Sequence, residues 1–137
     1  MEHDPVRVDN TKAWVVKARQ HLYAAEVVLS ASPALSWDAM FHCQQAVEKA
    51  LKGFLTWHDR PFPRGHDLVE LGRRCTEIDW TLVPLLQKAA SLTPYASAFR
   101  YPGDSPESAS DEAHNALALA REVVEAILSR LPAAACP

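Results

Sequence analysis

The chain predicts an all-α fold, an antiparallel four- to five-helix bundle, on three observations. Apolar residues recur at helical spacing along several long stretches. Only 4 glycines occur among 137 residues, and no run alternates Val, Ile or Thr with polar residues as a half-buried strand would. Proline and glycine clusters fall between the periodic stretches rather than inside them. With 48% hydrophobic residues the length suits one domain with one core, expected over about 11–131, with flexible tails at 1–9 and 132–137.

The first helix is expected from a cap at Thr11 to about Ser30, with Trp14, Ala18, Leu22, Ala25 and Leu29 along one face. SASPALS ends it, because Pro33 cannot continue a helix interior, and Ser36 is placed to cap the second helix, which runs to about Trp57 antiparallel to the first. HDRPFPRG then reverses the chain through Pro61, Pro63 and Gly65. A short third helix from His66 or Asp67 to about Ile78 turns Leu68, Leu71 and Cys75 inward, with Asp67 suited to its positive end. TLVPLLQKAASLTPYASAF reads as helical, with Pro84 in a first turn and an interruption at Pro94, so it forms one kinked helix or two short ones. RYPGDSP is a loop, and Ser105–Pro106 starts a last helix to about Arg130 that buries Ala113, Leu117, Ala120, Val124, Ile127 and Leu131.

Composition excludes several functions. A net charge of −3 argues against a strongly basic duplex-DNA binder, although residues 49–100 carry eight Lys or Arg against five Asp or Glu. Cys43, Cys75 and Cys136 form no CxxC pair, the six histidines show no HExxH, and no glycine-rich phosphate loop is present, so neither metal nor cofactor is expected. No apolar run approaches the about 18 residues of a membrane span, and MEHDPVRVDN lacks the features of a signal peptide. A cytoplasmic protein with reduced thiols and no membrane partner is the expectation.

The second helix carries the most informative anomaly. Trp37, Met40, Phe41, Val47, Leu51, Phe54 and Leu55 share one sector, and Gln44 and Glu48 lie near its centre, while Asp38, His42, Gln45, Lys49 and Lys52 take the other side. A carboxylate withdrawn from water costs several kcal/mol unless paired or protonated, so Glu48 predicts a partner, a wet pocket or a subunit interface. Arg100 is the expected partner through paired, charge-assisted hydrogen bonds, with Lys52 at i+4 as a weaker, exposed alternative.

QQAVEKALKGFL in that helix, HDL after the proline and glycine loop, and RYP late in the chain together resemble the HEPN domain family, over roughly Lys12 to Leu131. The resemblance implies an antiparallel helical bundle, commonly a homodimer, often encoded beside a minimal nucleotidyltransferase. Some relatives are ribonucleases and others are binding or scaffold members. The ribonuclease branch carries Arg, four to six residues, then His. Arg60 and His66 have that spacing, with Pro61 where the pattern has a polar residue, and RYP is followed by no histidine until His114.

Metal-independent RNA cleavage needs a base near the 2′-hydroxyl, a proton donor for the leaving oxygen and positive charge on the phosphorane. His66, with Arg60 or Arg100, can divide those roles; His66 can instead cap its helix or hydrogen-bond a carboxylate. Lys49, Lys52, Arg64, Arg100 and Tyr101 are the candidates for contact with a nucleotide or its phosphate. Tyr95, Phe99 and Tyr101 form an aromatic group able to stack a base or to pack in the core. The expected function is a nucleotide- or RNA-binding homodimer acting with a nucleotidyltransferase, in a toxin–antitoxin pair. The alternatives are an endoribonuclease and a purely structural module.

Overall fold

A computed structural model describes residues 3–97 and 110–137, and among these every regular element is helical. Helix α1 spans Pro5–Ser30 and is capped by Asp4, whose Oδ1 accepts the Val6 N–H at 3.0 Å, with proline in the first turn where its missing N–H costs nothing. The cap expected at Thr11 is therefore corrected: Thr11 is fully buried inside the helix and its hydroxyl donates to the Arg7 carbonyl at 2.8 Å. The expected N-terminal tail is corrected with it, since Pro5 to Asp9 are helical.

Helix α2 spans Ser36–Trp57 and folds back along α1. Leu35 N–H bonds Val28 O near one end of the pair, and Gly53 lies against Trp14 near the other. A Cβ at Gly53 would sit 3.1 Å from Trp14 Cβ, so the two helices approach this closely only over a glycine. Ser36 occupies the first helical position and makes no side-chain cap, contrary to expectation. Trp37, expected in the apolar sector, is 39% exposed.

The polar side expected for α2 is largely absent. Because α1, α3 and α5 all pack on this helix, Gln45 and Lys52 are buried along with Met40, Val47, Leu51, Phe54 and Leu55. Each large apolar side chain so buried contributes about 1.5–3 kcal/mol. Just past the helix end Asp59 lies in the left-handed region (φ 55°), where Asp59 N–H bonds Thr56 O at 3.1 Å and Arg60 N–H bonds Leu55 O at 2.9 Å.

Helix α3, Leu68–Ile78, is capped by Asp67, which accepts from Val69 N at 2.9 Å, and it buries Leu68, Leu71 and Cys75 as expected. The stretch left open between one helix and two is a short α-helix flanked by tighter turns. A 3₁₀ turn at Trp80–Leu82 leads into α4, Val83–Ala89, with proline in its first turn, and 3₁₀ geometry continues over Ala90–Ala96 through Pro94. Helix α5, Ser110–Leu128, buries Ala113, Leu117, Ala120, Val124 and Ile127 against α2, α1 and α4. The start expected at Ser105–Pro106 lies outside the described residues. The expected C-terminal tail is corrected: Ala133–Ala135 form a 3₁₀ turn packed on α1, with Ala135 fully buried. Among the described residues no helix is long and apolar enough to cross a membrane.

Candidate functional site

Glu48 has no exposed surface, and its two oxygens are fully engaged. Oε1 accepts from Gln44 Nε2 at 3.2 Å and lies 2.6 Å from His66 Nδ1. Oε2 accepts from Lys49 Nζ at 2.8 Å and Lys52 Nζ at 3.1 Å. Burial pushes the carboxyl towards its neutral form, but hydrogen bonds from Lys49 and His66 and the charges of Lys49 and Lys52 outweigh it, holding the pKa down at about 2. Glu48 is therefore ionised and can only accept, so His66 Nδ1 carries the proton. That leaves Nε2 on a side chain that is 57% exposed, without a hydrogen-bond partner among the described residues.

The surrounding groups fix this carboxylate and histidine in place. Gln44 Nε2 also donates to the His66 carbonyl at 3.1 Å, and its oxygen accepts from Gln45 at 2.6 Å. Gln45 in turn accepts from Lys49 at 3.2 Å. Lys52 donates to the Gly65 carbonyl at 3.1 Å, so the loop before α3 is tied to α2 on both sides of His66's backbone nitrogen. Gly65 has φ 126°, a conformation that other residues adopt only with strain, which is why a glycine stands where that carbonyl turns towards Lys52. Among the described residues no buried side-chain nitrogen or oxygen lacks a partner. A network satisfied this completely holds its geometry.

The two lysines meet aromatic rings as well as the carboxylate. Their ammonium groups stand 6.0 Å (Lys49) and 5.7 Å (Lys52) from the Trp14 ring centre, and Lys52 is 5.8 Å from Phe62. Trp14 and Phe62 pack edge to face at 5.8 Å. The exposed Lys52 expected from helix periodicity is thus a buried member of the site, with a side chain only 9% exposed, while Lys49 keeps 18%.

The other candidates separate. Arg64 is exposed on the loop two residues before His66, with no side-chain partner among the described residues. Arg60 forms no hydrogen bond or ion pair with His66; it lines a different cleft with Arg7 and Thr56. Arg100 and Tyr101 lie outside the described residues, as does the expected Glu48–Arg100 pairing. Within the described residues Glu48 pairs with Lys49, Lys52 and His66.

Sequence reasoning missed a neighbouring pair. His21 Nδ1 on α1 lies 3.0 Å from His42 Nδ1 on α2. Burial first, then His42, Lys49 and Lys17, lower the His21 pKa to about 4, with Glu48 acting in the opposite sense. Burial likewise lowers His42 below its ordinary value. The pair is therefore neutral near pH 7, one ring donating to the other. No sequence signal marks it, because it arises from the register between two helices. No group of three or more His, Cys, Asp or Glu among the described residues is placed to hold a metal ion.

Comparison with curated proteins and with solved structures gave no match. The family model of the HEPN domain matches residues 11–131, nearly the whole chain, and the chain belongs to the HEPN domain family, a membership that indicates a nucleotide- or RNA-related function.

Proposed function

We propose that this protein binds a nucleotide or RNA segment at the surface around His66, as a homodimer working with a minimal nucleotidyltransferase in a toxin–antitoxin pair. The observation that carries the reading is the His66 imidazole, gripped at Nδ1 by a fully buried carboxylate and open at Nε2. An imidazole oriented this way presents one nitrogen to a ligand hydroxyl or phosphate with little reorganisation. Arg64, exposed two residues before His66, and the partly exposed Lys49, whose ammonium is held by Glu48 and Gln45, supply positive charge on the same part of the chain. The homodimer and the nucleotidyltransferase follow from the family resemblance, which commonly carries both.

A second reading, metal-independent endoribonuclease, is favoured by the same Glu48–His66 bond. A carboxylate that fixes the tautomer and stabilises an imidazolium is the arrangement a general base needs, and Nε2 is then the atom to take the proton from a 2′-hydroxyl. Labelled tRNA or mRNA incubated with the purified protein in EDTA, alongside His66→Ala, separates the two. Binding without cleavage, weakened by His66→Ala, supports the binding reading. Cleavage abolished by His66→Ala supports the nuclease. No cleavage by the wild type, together with RNA binding unchanged in His66→Ala, contradicts both. Mass in solution tests the dimer, and a minimal nucleotidyltransferase encoded beside this chain and co-purifying with it tests the partner.

A further inference from the structure

Helix α1 is apolar on two opposite sides. Val15, Ala18, Ala25 and Leu29 face the core and are buried, with Thr11 among them. At about 100° per residue a second set, Val6, Ala13, Val16, Tyr23 and Val27, runs down the far side of the same helix. Val6 is 65%, Tyr23 68% and Val27 49% exposed, Ala13 is exposed and Val16 is half-buried. With Asp9 and Gln20 these residues are spaced alternately by three and four from 6 to 27, three heptads of a two-position seam. The seam is about 32 Å long at about 1.5 Å per residue. A surface helix ordinarily turns polar residues to water on the side away from the core, so a stripe of this period has the shape of a contact for another helix.

The charges beside the seam say which helix. Lys12 and Arg19 flank it on one side and Lys17 on the other, all exposed. Arg19 donates to the Pro137 carbonyl, whereas Lys12 and Lys17 have no hydrogen-bond or ion-pair partner among the described residues. Glu26, the acidic flanking residue, is already paired with Arg121. A second copy of the chain fits poorly. Laid parallel in register, Lys12 of one copy meets Lys17 of the other; laid antiparallel about the middle of the seam, Lys17 meets Lys17 and Arg19 meets Arg19. A membrane fits poorly too, because a helix lying in lipid buries a broad face of Trp, Phe or Leu. This stripe is narrow, has none of the three and contains Asp9 and Gln20. We infer that the outer face of α1 docks an amphipathic helix of a partner protein, with aliphatic residues along the seam and glutamate or aspartate beside it to pair with Lys12 and Lys17. Trp14, through which α1 meets the His66 network, lies on the core side, so the two surfaces are separate.

Fluorescence anisotropy of a labelled three-heptad peptide, with leucine at its two seam positions and glutamate beside them, tests this on the full chain. A peptide with lysine in place of glutamate is the control. Wild type is expected to bind the glutamate peptide at least about tenfold more tightly than the lysine peptide, and Lys12→Glu combined with Lys17→Glu to reverse that preference. Because the reversal gains a ligand, it cannot come from a failure to fold. Val27→Asp, at an exposed position, should weaken binding at least about tenfold with unchanged circular dichroism. His66→Ala should bind the peptide as wild type does, which keeps this test distinct from that of the His66 site. Peptides bound equally or not at all by wild type, or affinity unchanged in Val27→Asp, overturn the inference. A fall in mass in solution caused by Val27→Asp assigns the seam to a second copy, and binding to anionic lipid vesicles that Val27→Asp abolishes assigns it to a membrane; either result overturns the helical partner.

Discussion

Replacing Glu48 with glutamine keeps the shape of the side chain and removes the charge on which four neighbours depend. The carboxyl falls from an ordinary value of 4.5 to about 2 in the folded chain. At about 1.4 kcal/mol for each tenfold change in proton affinity, the ionised form contributes about 3 kcal/mol to the fold. The sign follows from linkage. A carboxyl whose folded pKa is depressed gives its full contribution above pH 4.5, and loses it as the pH falls towards 2. At pH 3 about 2 kcal/mol is already lost. Glu48→Gln also strands two lysines. Removing one member of a buried pair costs about 3–5 kcal/mol, and the partial exposure of Lys49 and Lys52 reduces that, so about 2–4 kcal/mol is expected at pH 7. Denaturant unfolding of both proteins at pH 7 and pH 3 measures the gap, which should narrow by about 2 kcal/mol at the lower pH. A gap below about 1 kcal/mol at pH 7, or one equal at both pH values, would refute the account of this carboxylate.

Other expectations follow from the same geometry. Asp59→Gly should stabilise the chain by up to about 1 kcal/mol, read as a higher unfolding midpoint, because Asp59 sits in the left-handed region that glycine enters freely. Gly65→Ala should cost about 1 kcal/mol or more by denaturant unfolding, since φ 126° strains any side chain and the shift moves the carbonyl bound by Lys52. An NMR titration should find His21 neutral down to about pH 5 and protonating near its pKa of about 4. Because the unfolded histidine takes up its proton near pH 6.5, this contribution is full above that pH and shrinks as the pH falls towards 4.

What could be read from the residues alone divides along the range of the interactions. The inward faces of α3 and α5 rest on spacing within one helix, and Leu68, Leu71, Ala113 and Ile127 all lie inside as that spacing requires. Glu48 was legible for the same reason: its own neighbours along α2 place it in the apolar sector. Thr11 was misread because a hydroxyl can serve a carbonyl one turn back as readily as it caps, and the Asp4–Pro5 start lay further upstream. Periodicity leaves Lys52 outside because it does not show that α1 and the loop at Gly65, both distant in sequence, cover it; Gln45 is buried as well, bonded to Gln44 and Lys49. His66 shows both sides of this. Hydrogen bonding to a carboxylate was foreseen for it, but not to Glu48, since only the turn through Pro61, Pro63 and Gly65 returns the chain to α2.

The central claim is that a buried carboxylate holds His66 with one nitrogen ready for a ligand. The ¹⁵N spectrum of the His66 ring, recorded with and without a saturating single-stranded oligoribonucleotide, tests it most directly. The account predicts a proton resident on Nδ1 in the free protein and a shift of Nε2 on addition of RNA. A ring protonated at Nε2 when neutral, or ring nitrogens that do not respond to RNA bound elsewhere on the protein, would contradict it.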